Sequence, residues 1–259
     1  MRRTKISLLM IGLLISFFIG ASTQNSTAMV KKSYQYGNII MQNTASENGS
    51  GTVIFRHWTH RGKYTCRLCH VDLEFAQIAG ESEITEDDNQ SGRYCGTCHN
   101  GKEAFSIKLC TNCHAKDTAQ LKQTLKKDKK AFYTFQRTMP RAMYGNKIDW
   151  MQAEQEDLIK PKDRLPGISL AQKNLVTNQR NEPLEPKLPG LPGIIFSHSK
   201  HVAWNGCGMC HPEPFKLENG ATNISMQQII DGNLCGRCHG TVAFQVNDCA
   251  LCHSEPVSL

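Results

Sequence analysis

No cysteine precedes Cys66, and none of the twelve in the chain stands outside one repeated pattern. A conventional disulfide framework, which would spread its cysteines over unrelated spacings, is thereby excluded. Beyond the first twenty residues no apolar run approaches the roughly 20 residues that cross a bilayer, so no membrane span is expected in the body of the chain. Histidines are few, ten in all, and no separate catalytic constellation accompanies them.

The N-terminus is expected to be a leader. Arg2, Arg3 and Lys5 form a positive region, Ile6 to Gly20 is apolar but short, and Ser26-Thr27-Ala28 offers small residues for cleavage after Ala28. An uncleaved anchor is the alternative. Either way the body is expected to be exported, in the periplasm or beyond it, where unmodified cysteines would oxidise.

All twelve cysteines fall in six Cys-x-x-Cys-His motifs: Cys66/Cys69/His70, Cys95/Cys98/His99, Cys110/Cys113/His114, Cys207/Cys210/His211, Cys235/Cys238/His239 and Cys249/Cys252/His253. This is the attachment signature of c-type haem, in which two thiols join the porphyrin and the adjacent histidine sits beneath the iron. Six covalent haem c groups are the implied cofactors. Zinc also uses Cys/His sets, but its sites would need motifs to pair. A histidine after every second cysteine is an odd way to supply that.

The chain is duplicated. Phe55-Arg-His57-Trp-Thr-His60 precedes Cys66 as Phe196-Ser-His198-Ser-Lys-His201 precedes Cys207, and each block is trailed by two further motifs. Cys95-Gly-Thr-Cys-His and Cys235-Gly-Arg-Cys-His continue the match. Residues 29–51 read as a lead-in, 52–118 as a first module, 119–192 as a linker and 193–259 as a second module. Val53-Ile54-Phe55 is β-prone, and Asn43 to Gly51 reads as a loop. In the linker, Leu121, Leu125, Phe132 and Phe135 predict a helix from Thr118 to Arg137, with Lys126-Lys127-Asp128-Lys129-Lys130 on its other face and Pro140 beyond its end. A second short helix is expected within 148–159, then an extended strap through Pro166, Pro183, Pro186, Pro189 and Pro192. Tyr144-Gly-Asn146 echoes Tyr36-Gly-Asn38 and hints that each module has its own lead-in. Each module is too small to bury a sufficient side-chain core, so folding is expected to depend on haem.

Six histidines are proximal by motif, which leaves His57, His60, His198 and His201 as distal ligands. Two per three haems leaves one haem of each module without a distal histidine.

With these residues in place, the chain resembles the trihaem cytochrome c7 family, a shortened relative of tetrahaem cytochrome c3, here as two joined modules. The resemblance implies a small multihaem c-type cytochrome, mostly short helices and loops around haems with little strand. It implies that His57 serves the haem on Cys66/Cys69, His60 that on Cys95/Cys98, His198 that on Cys207/Cys210 and His201 that on Cys235/Cys238. It places the third distal ligand between the first two motifs of a module. Met226 stands there in the second module, although a methionine in a helical turn is more often core; Met209 lies within a haem-binding loop and is too constrained. The first module departs from the pattern. Glu86 takes the corresponding place, and the third haem is left to Met29, Met41, a linker Met or Lys, or five-coordination.

The formal charge is +7, three positive residues of which lie in the leader, and haem propionates would offset the rest. The lysine-rich helix is a solvated face, a counter-charge to propionates, or a docking surface for an acidic redox partner. Nucleic acid is not an expected partner. The expected function is a hexahaem electron carrier between respiratory donors and terminal or extracellular acceptors, not an enzyme. The alternatives are a small reductase working at an open haem on Cys110/Cys113/His114, or a subunit of a conducting multihaem assembly.

Overall fold

The β-branched run before the first histidine pair is a strand, β2 (Thr52–Arg56), with Ile54 buried. It pairs antiparallel with β1 (Asn38–Met41), in a register that sets Asn38 opposite Arg56 and Met41 opposite Val53. Its other edge takes β3 (His114–Ala115), with Val53 opposite His114. The strand then passes without a loop into α1 (His57–Arg61). One short sheet therefore joins the histidine of the third motif to the segment carrying both distal histidines. The second half repeats this: β4 (Asn181–Leu184) pairs with β5 (Ile194–Ser197), which bridges His253 and runs into α6 (His198–Asn205).

The computed structural model describes residues 31–42, 49, 51–169, 181–186 and 188–255. The leader and its cleavage site, Met29, most of the loop before Gly51 and strap residues 170–180 lie outside them. No helix among the described residues is long and apolar enough to cross a membrane.

Short helices punctuate both modules. Thr85 caps α2 (Glu86–Gln90) through a reciprocal capping box with Asp88, and Ser225 with Gln228 does the same for α7 (Met226–Ile230). Cys95–Cys98 forms α3. The linker opens with α4 (Thr118–Gln136), whose N-terminus is closed by Asp117 accepting from the Gln120 amide at 2.7 Å. Lys126, Lys127, Lys129 and Lys130 are exposed as expected, but Asp128 turns inward and holds Arg56 Nε of β2 at 2.6 Å. The second linker helix, α5 (Trp150–Gln155), is shorter than the 148–159 window. Asp149 takes its N-cap, and its end folds back through Leu158 N to Ala153 O and Asp157 N to Glu154 O, with Asp157 left-handed at φ 58°.

One buried side-chain cluster is shared by both modules and the linker. Trp58 of α1, Phe132 of α4, Ile148, Trp150 and Ala153, Ile159, and Trp204 of α6 form one buried cluster. The linker thus supplies most of this cluster, and each module contributes one tryptophan. Phe132 is fully buried, with its ring 5.4 Å from that of Trp58 at 82°. Phe132→Ala should cost about 3–5 kcal/mol, read as a lowered thermal midpoint of haem-loaded protein whose visible spectrum is unchanged before melting.

Tyr36-Gly-Asn and Tyr144-Gly-Asn do not mark equivalent lead-ins, since the strand partner of β5 is Asn181–Leu184. Both instead reach one loop of the second module. Tyr36 Oη donates to Ala243 O, and the Tyr144 ring packs 5.7 Å from that of Phe244.

Candidate functional site

In every motif the two thiols and the histidine are three and four residues along one turn, and so share a face. That turn is α3 at Cys95, a 3₁₀ turn at Cys110–Asn112, Leu234–Arg237 and Cys249–Leu251, a helical stretch from Cys66 that runs into a π turn at Leu68–Asp72, and a hydrogen-bonded turn at Cys207. The histidine amide closes it, as in His99 N to Cys95 O at 2.9 Å and His253 N to Cys249 O at 2.8 Å. The motif's second residue is glycine in Cys95-Gly96 and Cys235-Gly236 because a Cβ there would stand 1.8 Å from Asn89 O of α2, or 2.0 Å from Ile229 O of α7. These helices are docked directly on the attachment turns.

The imidazoles are held by the backbone. His70 Nδ1 meets Phe75 O at 2.8 Å, His99 meets Phe105 O at 3.1 Å, His114 meets Gly51 O at 3.2 Å, His211 meets Phe215 O at 2.6 Å and His253 meets Pro192 O at 2.8 Å. His57 meets Gly37 O at 2.5 Å, His60 meets Arg56 O at 3.0 Å and His201 meets Ser197 O at 2.9 Å. A carbonyl only accepts, so the proton is on Nδ1 and each Nε2 keeps a free lone pair, the arrangement of a metal-ligating histidine. His239 is the exception: its Nδ1 is buried without a partner, while Phe244 O accepts from Gly240 N. Burial pushes His57 and His239 down to about 4 and lowers His60 and His70, so these rings are neutral at physiological pH.

The repeated phenylalanine has a physical role. Phe55 stands edge-on to His57 (4.8 Å, 90°) and stacks on His60 (4.5 Å, 28°), and Phe196 treats His198 (4.8 Å, 90°) and His201 (4.4 Å, 31°) alike. One ring thus fixes two imidazoles in different directions. Three of these four then face a motif histidine: His57 and His70 are 6.4 Å apart at 8°, His60 and His99 6.2 Å apart, and His201 and His239 6.2 Å apart. Two metal–nitrogen bonds of about 2 Å in line, with about 1.1 Å from each nitrogen to its ring centre, separate two rings by about 6.2 Å. Each pair is spaced to hold one metal atom between its rings.

A cavity of about 3910 Å³ runs through both modules and is lined by at least one cysteine of every motif. Ordinary ligand pockets hold about 300–1,000 Å³. The space fits several macrocycles, and its walls are the thiols and imidazoles that would bind them. Zinc fits poorly: among the described residues no three His, Cys, Asp or Glu side chains converge as a metal cluster would require. Burial also pushes the Cys69 and Cys238 thiols up to about 12 and those of Cys95 and Cys235 up to about 11, away from the thiolate that zinc prefers.

The methionines are unequal. Met226 is the first residue of α7, 45 % exposed and on the cavity wall. Glu86 occupies the same place in α2 and is exposed. Met209 is buried, its carbonyl accepting from Gln77 Nε2 at 2.9 Å. Met41 lines the cavity from β1, one strand beyond Val53 and two beyond His114. Sequence reasoning missed Arg61, Trp58 and Trp204, which meet between the modules. The one available signal was a tryptophan near each histidine pair.

A search of curated proteins gives no match. Among solved structures, the chain is similar to a dodecahaem cytochrome c (25% identity, 84% of this chain and 48% of that one, TM-score 0.27). It is similar also to a c7-type three-haem cytochrome domain (38% identity, 30% of this chain and 93% of that one, TM-score 0.27). A third is the C-terminal hexahaem fragment of the dodecahaem protein (24% identity, 84% of this chain and 96% of that one, TM-score 0.27). The chain spans about half the length of the dodecahaem protein. The family profile of cytochrome c7 and related cytochromes c matches residues 53–125 and again 194–254, together just over half of the sequence. With paired imidazoles, attachment turns and a shared cavity in both matched segments, the chain belongs to the cytochrome c7 family of multihaem c-type cytochromes.

Proposed function

We propose that the protein is an exported, periplasmic hexahaem electron carrier, taking electrons from inner-membrane or soluble donors and passing them to terminal or outer-membrane acceptors. Its thioether sites are Cys66/Cys69, Cys95/Cys98, Cys110/Cys113, Cys207/Cys210, Cys235/Cys238 and Cys249/Cys252. The proximal ligands are His70, His99, His114, His211, His239 and His253, and the distal ones His57, His60, His198 and His201. The observation that carries this reading is the imidazole pairing at 6.2–6.4 Å, which would close both axial positions at the haems of His70, His99 and His239.

Bound haem c supplies a reversible one-electron couple; the chain's part is to hold, orient and tune it. The backbone carbonyls fix each ligating tautomer, and Phe55 and Phe196 set the ring directions. Directly opposed residues of neighbouring strands share a face. The register of Met41, Val53 and His114 therefore favours Met41 as sixth ligand for the haem on Cys110/Cys113. Met226 has that role for the haem on Cys249/Cys252. Both would raise potential relative to histidine. The exposed lysines of α4 offer a docking face for an acidic partner.

Low-temperature EPR with near-infrared magnetic circular dichroism of the oxidised holoprotein tests the assignment. Expected are low-spin haems only, four with two histidines and two with methionine. A high-spin fraction that binds cyanide or nitric oxide would instead favour a reductase working at the Cys110/Cys113/His114 site.

A further inference from the structure

Arg61, the last residue of α1, carries its charge into the joint between the modules. Its guanidinium carbon lies 5.0 Å from the Trp150 ring centre and 5.0 Å from that of Trp204, one indole from the linker and one from the second module. Nη1 donates to Val242 O at 3.2 Å. Nε is buried with no hydrogen-bond partner, and no carboxylate is within ion-pair distance of the group among the described residues. The one carboxylate whose field it feels, Asp149, is occupied in capping α5.

Such an arrangement is costly. Desolvating a cation costs several kcal/mol, which two cation–π contacts of about 2 kcal/mol each offset only in part. An apolar side chain of similar length would fill the slot between the indoles at no such cost. Packing therefore does not account for an arginine here. Its charge does.

The charge stands between two attachment sites of different modules. Cys66 lies five residues on from Arg61 in the chain. Val242, which Arg61 holds, lies four residues after Cys238, on the loop that Tyr36 also grips through Ala243 O. Consistent with this proximity, Cys66 packs against the cluster that holds Trp150 and Trp204.

We propose that Arg61 sets the electron affinity of the crossing between the modules: a fixed cation with no protein carboxylate against it, placed between the Cys66/Cys69 and Cys235/Cys238 sites, favouring the reduced state at both. With haem bound, His70 and His239 would hold the two irons concerned, and a one-electron exchange between them would oxidise one as it reduced the other, with no bond made or broken. Arg61 is not among the ligands and would act as a positioning residue for charge. The inference rests on the haem assignment of the two motifs.

The test uses haem-loaded protein with Arg61→Met and Arg61→Gln. Haem content by mass comes first, so that a failure of the haem assignment is seen separately. Potentiometric titration with haem-methyl NMR then resolves the individual sites. A unit charge removed at roughly 10 Å in a medium of effective dielectric near 20 should lower the reduced-to-oxidised ratio at fixed ambient potential on the order of tenfold. That change is expected at one haem in each module, with the other four unmoved. Wild-type titrations in both variants, or a shift shared equally by all sites, would overturn the proposal. So would failure of both variants to load haem, since Arg61 would then serve assembly rather than tuning.

Discussion

Chain made without haem attachment should not reach this fold. Among the described residues the only large side chains that are fully buried are Phe132 and Leu68, while the cavity running through both modules is about 3910 Å³. An empty cavity costs about 24 cal/mol per Å³, so a tenth of that volume kept dry would cost about 9 kcal/mol. A domain of this size has a total stability of only about 5–15 kcal/mol. Flooding the space would instead expose its apolar lining. The expected result for a variant with all twelve cysteines changed to serine is loss of the module structure. Residual helix should survive in α4 alone, where the Asp117 cap and a 19-residue length favour it locally. A dispersed amide spectrum from such protein would refute this dependence.

Replacing His57 by methionine should raise the potential of the haem on Cys66/Cys69 by on the order of a tenth of a volt or more, within the roughly 0.8 V range that axial ligands command. His57 is the most closely governed ligand candidate of the first module. Its ring is parallel to that of His70 within 8°, its Nδ1 is held by Gly37 O, and its edge is fixed by Phe55. A new methionine charge-transfer band in the near-infrared should accompany the shift. The potential at Cys95/Cys98 should move far less, because His60 stacks on the other side of Phe55 and keeps its own bond to Arg56 O. An unchanged titration would remove His57 from the ligand set.

The chemistry of this protein was legible because it is covalent and local. Cys-x-x-Cys-His needs only one turn of chain, and the Phe-x-His-x-x-His block works within six residues, so spacing alone carries both. The α4 helix was legible too, from Leu121, Leu125, Phe132 and Phe135 on one face and Pro140 beyond its end. What sequence could not show was long-range. Asp128 sits among four lysines and gives no sign that it turns to Arg56, 72 residues away. Trp58 and Trp204 occupy different offsets from their histidine pairs, so the duplication conceals that both serve one cluster. The strap at 181–184 contains Pro183, which argues against a strand; it pairs there because β4 is an edge strand with a single neighbour. Gly96 and Gly236 were visible as a repeat, but their reason, contact with a helix backbone, is tertiary.

The placement of the apolar cluster bears on kinetics. In carriers whose halves are tethered by a loose segment, the step across the middle waits for the halves to meet, and its rate follows solvent viscosity and tether length. Here Phe132, Ile148, Trp150, Ala153 and Ile159 of the intervening segment pack in one buried cluster with Trp58 and Trp204. For the electron carrier proposed above, passage through the centre would then be a tunnelling event at a constant gap. Diffusion would govern only the encounters with donor and acceptor.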